Sequence, residues 1–375
     1  MSKLALLFAL VLLFVLPVAA AQITSDPVII NIDSDLWEWQ AENQPLIQMT
    51  TWGMNERPLL SPDGTKAAYL SGATVFKEWL QTITGGTGGY WPPTNIWVLD
   101  IATGQTFRIA DQPADAVFDG PNDPGKYVLR CEPSWSPDSQ QIAWVELQVD
   151  TLTSTDENLR GIIQIAVYDF ASETTRILDS YPITWDVAGI DYYSVEWGRP
   201  GIVVTSRASG FDLEDFRLYD PSGSLITQYQ LAEDAPSGYW MTWIEYEGED
   251  YLLDLYQLDK GVWMKWRTGE VEAMPGVPEM VSATAPDGAS FFKSGGVWMM
   301  ALPRLAPSEM EEHAHPYGIS RDGQRVLFSR EVKDPTTGYF EEAFIVQSGG
   351  QQIEIGRYRN VDPVWGPVIW RIRPE

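Results

Sequence analysis

Two histidines, His313 and His315, close the run Glu311-Glu312-His313-Ala314-His315. On an extended segment, residues two apart project to one side. The pair could therefore offer two imidazoles to zinc or manganese, with carboxylates alongside. Two imidazoles make only half of such a site, and a solvated loop accounts for the same letters. Asp119-Gly120-Pro121-Asn122-Asp123-Pro124-Gly125-Lys126 carries the spacing G-x-x-x-x-G-K. Tyr127 stands where a Ser or Thr should meet Mg²⁺, two prolines stiffen the loop, and a strand pattern follows, so phosphate binding is not expected. Asp119, Asn122 and Asp123 could instead supply oxygens to calcium. The expectation is no cofactor, with calcium or a transition metal as the alternatives.

Nucleophilic chemistry finds little support. There is no G-x-S-x-G elbow and no histidine placed to serve a Ser or Cys. Cys131, the one cysteine, lies in the apolar stretch Tyr127–Cys131, where a buried inert thiol is expected. Acidic pairs formed in space are invisible in sequence, so no catalytic residue is assigned. For binding, the segment 72–94 stands out. Phe76, Trp79, Tyr90 and Trp91 put four aromatic rings on a Gly-rich loop that could grip a peptide or a sugar. The competing reading folds those rings back onto a neighbouring element, where large apolar side chains usually go.

The elements that would hold these residues repeat. Glu132-Pro133-Ser134-Trp135-Ser136-Pro137-Asp138-Ser139 precedes the apolar run Ile142–Val145, and reads as strand, tight turn, strand. Related turns occur at Ser61-Pro62-Asp63-Gly64, Ala285-Pro286-Asp287-Gly288 and Ser320-Arg321-Asp322-Gly323, with a weaker copy at Gly198-Arg199-Pro200-Gly201. Asp63, Asp138, Asp287 and Asp322 are turn-formers by position. Each turn is followed by a second hairpin, as in 95–111, 165–179, 216–231 and 343–356. A four-stranded unit recurring about every 40–50 residues marks the blades of a β-propeller.

Complete blades are expected at about 55–111, 128–179, 190–231, 239–275, 279–306 and 315–357. Within residues 28–50, the second part, 36–50, reads as the outer two strands of a further blade with no inner strands before it. The segment 361–373, with Trp365-Gly366-Pro367 at its turn, reads as the inner two strands that close the ring and remove its edge. Seven four-stranded blades are expected, with six as the alternative. The connections at 72–94, 147–161, 331–341, 111–127, 180–190 and 303–314 are long and all emerge on one face, which is where function is expected.

Composition agrees with an all-β chain: 375 residues with 17 Trp, 16 Tyr, 31 Gly and 26 Pro. Residues 1–21 read as a signal peptide, with Lys3, an apolar run from Leu4 to Leu16, and small residues before Gln22. Retention of that segment as an anchor is the alternative. Residues 22–375 form a single propeller domain in this reading, exported to the periplasm, the cell surface or the medium. A net charge of −27 repels phosphate backbones and argues against nucleic acid as a partner. No later segment is apolar enough to span a membrane.

The pattern W-S-P-D-G-x-x-I-A-W/Y followed by I-W/Y-V-x-D-x-x-T-G resembles the propeller repeats of TolB and its relatives. It is strongest at 58–71 and 133–146, fair at 284–292 and 317–330, and the resemblance covers nearly the whole chain after residue 21. Similar repeats form the propeller of prolyl-oligopeptidase-type peptidases. The resemblance implies fold and leaves activity open. The expectation is a non-catalytic, exported TolB-like propeller that binds an envelope or extracellular protein, a peptide or a glycan through its long-loop face. The alternative is a propeller-type glycan lyase or hydrolase, metal-assisted through His313 and His315.

Overall fold

Strands buried on both faces must be apolar at successive positions, not only at alternate ones. That is how 67–70, 142–145 and 202–204 read, and in the computed structural model each is sandwiched between two neighbouring sheets. The structure describes residues 28–40, 44–83, 92–121, 123–153, 159–184, 190, 193–207, 214–230, 241–246, 249–254, 262–273, 280–283, 290–294, 297–311, 314–320 and 322–359.

Among these residues, seven antiparallel sheets follow one another along the chain. Sheet one joins Val28–Ile32, Asp35–Trp39 and Ile47–Gln48. Sheet two begins at Asn55–Leu60 and ends at Thr106–Ala110. Sheet three opens with Lys126–Arg130 and Ser134–Trp135 and ends at Thr174–Thr184. Sheet four runs from Tyr193–Gly198 to Leu225–Gln230, and sheet five from Met241–Tyr246 to Glu270–Ala273. Sheet six runs from Met280–Ala283 to Ser308–Glu309, and sheet seven from Ala314–Ile319 to Gln351–Arg359. Sheets two and four to seven are four-stranded meanders in chain order.

Period-two alternation gives each blade two apolar faces. Ala68, Leu70, Ile96 and Val98 of sheet two pack on Trp135, Ile142 and Trp144 of sheet three. The alternate residues Ala67, Tyr69 and Leu99 turn the other way, into a cluster with Ile29, Ile30 and Leu36 of sheet one. Leu327 and Val346 of sheet seven join that same cluster. Val326, Phe328 and Ile345, one residue off, pack on Met300 and Met310 of sheet six. Sheets three and four share a fourth cluster, and sheets four and five a fifth. The first sheet is thus wedged between the second and the last, and the series of blades bends round on itself as a β-propeller.

One expectation is corrected. The pair expected over residues 36–50 does have a strand before it. Val28–Ile32 pairs with Asp35–Trp39 in full register, so the first sheet carries its own leading strand, made possible by left-handed Asp33 and Ser34 at the turn. The segment 361–373, expected to complete this blade, lies outside the described residues.

The repeated turn is built alike each time. Ser61 Oγ donates to Asp63 Oδ1 at 2.6 Å and accepts from the Lys66 amide at 3.0 Å. Ser136 makes the same pair of bonds with Asp138 and Gln141, at 2.6 and 2.8 Å. Ser320 bonds Asp322 and accepts from the Arg325 amide. The fourth position is left-handed in all three, with φ of 67° at Gly64, 62° at Ser139 and 66° at Gly323. Asp63, Asp138 and Asp322 therefore shape corners; Asp287 lies outside the described residues.

Seams between blades are tied by hydrogen bonds from one first strand to the next. Trp135 Nε1 donates to the Leu59 carbonyl at 2.9 Å. Ser134 Oγ donates to Glu196 Oε2 and accepts from the Trp197 amide, each at 2.9 Å. At the seam of sheets four and five, Trp243 lies so close to Gly198 that a Cβ there would sit 2.3 Å from the ring.

Candidate functional site

The meander decides which face carries the loops. Turns join first to second strands and third to fourth strands at one end of each blade, and most of them are tight. The second-to-third connections and the links between blades collect at the other. Among the described residues, segments 73–83 and 111–121 are additions on that face.

In segment 72–94 the described part is not plain loop. Thr74–Leu80 forms the helix α1. Phe76 turns inward and is 6% exposed; its ring stacks on Trp79 at 5.7 Å and meets Phe118 edge-on at 5.8 Å. Phe118 meets Trp79 and Tyr127 in turn, at 5.2 and 4.9 Å. Phe76 and Trp79 are thus pinned by rings from the next inter-blade link, and Phe76 belongs to the core. Trp79 remains partly exposed. Tyr90 and Trp91 lie outside the described residues. On the opposite flank of α1, Lys77 Nζ sits 3.8 Å above the Trp52 ring and donates to the Trp52 carbonyl at 3.1 Å.

Exposed aromatic surface on this face comes from elsewhere. Tyr339 is 67% and Phe340 58% exposed, where the second strand of sheet seven turns into the third. Their turn is braced by Asp334, whose amide donates to the Tyr339 carbonyl at 2.8 Å and whose carbonyl accepts from Gly338 at 2.8 Å. Its carboxylate accepts from the Thr336 amide at 2.8 Å and from Thr337 Oγ1 at 2.5 Å. Sequence reading passed over this pair, although Asp334-Pro335-Thr336-Thr337-Gly338 is a turn signal directly before two aromatics.

Between sheets two and three the same face opens into a cavity of about 340 Å³ lined by Gln112, Lys126, Gln148 and Asp150, with Arg130 and Glu146 at its floor. Arg130 Nε donates to Glu146 Oε2 at 2.9 Å, and both side chains are over nine-tenths buried. Its other nitrogens reach the carbonyls of Thr94 and Asp111. Glu146 also accepts from Trp144 Nε1 at 2.9 Å and Gln148 Nε2 at 3.1 Å. At the rim, Lys126 bonds Asp115 at 2.7 Å.

The first strands of sheets two and three hold a second ionisable group. Arg57 is left-handed at φ 48°, in a bulge where the pairing slips between Glu56 and Leu59. Its Nε lies 4.0 Å from Glu56 Oε2 and its Nη1 3.9 Å from Glu132 Oε2. Burial, with a further push from Glu132, drives the Glu56 carboxyl up to about 7 against the pull of Arg57. Cys131, beside it, accepts a bond from the Val145 amide, and burial pushes its thiol up to about 12, which keeps it unreactive at neutral pH.

His315 stands exposed on the first strand of sheet seven, and His313 lies outside the described residues. Among the described residues no three of His, Cys, Asp and Glu come together as a metal-holding group. Asp119 and Asp123 are exposed in their loop, while Asn122 lies outside the described residues. Among the described residues no helix is long and apolar enough to cross a membrane.

The sequence matches no protein-family model and no curated protein. Among solved structures it is similar to an acylaminoacyl peptidase in complex with Z-Gly-Gly-Phe-chloromethyl ketone, at 15% identity and TM-score 0.45 over 86% of this chain and 48% of that one. It is also similar to the β-propeller domain of the Trilobed protease from Pyrococcus furiosus, at 14% identity and TM-score 0.44, covering 86% of this chain and 87% of the other. A third is oligogalacturonate lyase from Vibrio parahaemolyticus, at 10% identity and TM-score 0.46, covering 87% and 92%. The chain spans about half the length of the acylaminoacyl peptidase.

Proposed function

We propose that this chain is an exported, TolB-like propeller that binds a peptide or a glycan on its long-loop face without transforming it. One observation carries the reading: Tyr339 and Phe340 are held in water by a turn that Asp334 has already ordered. A turn ordered before binding leaves mainly the rings' own rotations to be lost when a ligand stacks on them. The polar cavity between sheets two and three supplies hydrogen-bonding groups on the same face.

Glycan and peptide arrays probed with the purified protein test this reading. Wild type is expected to retain one class of ligand, and the double variant Tyr339→Ala, Phe340→Ala to lose it. Equal retention by both would remove the aromatic pair from the site. Cleavage of a retained glycan would replace the reading with that of a lyase or hydrolase. Amino-terminal sequencing of protein recovered outside the cytoplasm, expected to start at Gln22, checks the export half.

A further inference from the structure

A buried carboxyl needs every oxygen satisfied, and Glu56 fails that requirement. Its side chain is 2% exposed, and Oε1 has no hydrogen-bond partner. The charged form is correspondingly costly in this place. Arg57 stands between this group and Glu132, at 4.0 Å from one and 3.9 Å from the other. Neither separation is the short contact of a closed, charge-assisted hydrogen bond. The guanidinium is near-equidistant from two competing carboxylates, on a backbone turned out of the strand by its bulge.

We propose that Arg57 is a proton-controlled switch: it pairs with Glu132 while Glu56 is protonated, and moves to Glu56 when that proton leaves, releasing Glu132 to solvent. With Glu56 neutral, Arg57 keeps Glu132 as its near carboxylate at 3.9 Å, and the two join the first strands of sheets two and three. With Glu56 ionised, an unpaired charge in the dry seam is the more expensive alternative. Arg57 then neutralises it, because Glu132, 20% exposed, can be solvated and Glu56 cannot. The proton passes to solvent, and no other reactant is needed. The third titratable group here is the Cys131 thiol, which stays protonated throughout the range. The change of charge at neutral pH follows from the position of the Glu56 ionisation, near 7. The switch therefore changes the charge presented to solvent at Glu132 between mildly acid and mildly alkaline conditions.

Carbon-13 NMR of glutamate carboxyls in the full chain, titrated from pH 5 to 9, tests the switch. The expected result is one step near neutrality reported by both Glu56 and Glu132. Glu56→Gln should abolish the step at Glu132. Glu132→Gln should move the Glu56 ionisation downward, because the neighbouring negative charge is gone. A Glu132 signal that stays flat through the Glu56 step would overturn the switch, as would a step that survives in Glu56→Gln. Should Glu56→Gln fail to fold, the Glu132→Gln arm decides alone: an unmoved Glu56 ionisation sinks the proposal.

Discussion

Asp63 and Ser139 tie the corner of one blade to the corner of the next, with the Asp63 amide donating to Ser139 Oγ at 3.0 Å. Ser139 occupies the left-handed position that the sister turns give to Gly64 and Gly323. A side chain is kept where the backbone alone would favour glycine, and its hydroxyl spans the seam. Ser139→Ala keeps the backbone cost and loses the bond. It is expected to lower stability by about 1 kcal/mol, read as a shifted midpoint in urea unfolding with an unchanged slope.

The seam between sheets four and five depends on a missing side chain. Gly198→Ala puts a methyl group 2.3 Å from the Trp243 ring. Such overpacking costs about 1–3 kcal/mol. A calorimetric melting temperature equal to that of wild type would show that the ring can move aside.

Glu56 makes stability depend on pH in a direction opposite to most carboxylates. Its ionisation is raised from 4.5 to about 7 on folding, so the folded chain binds the proton more tightly than the unfolded chain. The contribution is fully present below pH ~4.5 and is lost as pH rises to about 7, with a limiting slope of about 1.4 kcal/mol per pH unit. Glu56→Gln is expected to flatten this part of the stability profile between pH 5 and 7. An unchanged difference between wild type and variant across that range would contradict it.

The floor of the cavity should tolerate losing both charges better than losing one. Arg130→Met leaves Glu146 buried opposite an apolar chain, and breaking such a pair costs about 3–5 kcal/mol. Adding Glu146→Gln is expected to recover part of that loss. A double-mutant cycle from denaturant unfolding measures the coupling, and additive losses would refute it.

Replacing Tyr339 and Phe340 with Ala should leave stability within about 0.5 kcal/mol, because both rings are already in water. Loss of ligand retention with an unchanged melting temperature separates a binding role from a structural one.

Blades and corners were legible because their signals are local. Ser61, Ser136 and Ser320 each meet an aspartate two residues on, and turn chemistry of that range is written in four letters. The placing of Glu56 and Glu132 about Arg57 was not legible. Its geometry depends on one skipped residue in the pairing of Asn55–Leu60 and on a similar slip between Arg130 and Ser134, where the partner residues are Glu146 and Ala143. Comparable slips follow Met280 and Pro316, and only prolines, after Arg57 and Glu132 and at position 316, hint at any of them. The aromatic loops were equally ambiguous by letters alone. Phe76 is core because Phe118 and Tyr127, far along the chain, come to meet it; Tyr339 and Phe340 stay largely in water.

The wedged position of the first sheet has a consequence for how the molecule is made. Ile29, Ile30 and Leu36 are among the earliest core residues after residue 28, yet their cluster is completed by Leu327 and Val346, some three hundred positions later. During synthesis sheet two can cover one side of that apolar surface early, but the side toward sheet seven stays open, and the contacts that close it carry a large loop-closure cost. An interrupted chain ending before sheet seven would expose it permanently, which makes such fragments the form of this protein most prone to aggregate or to occupy chaperones.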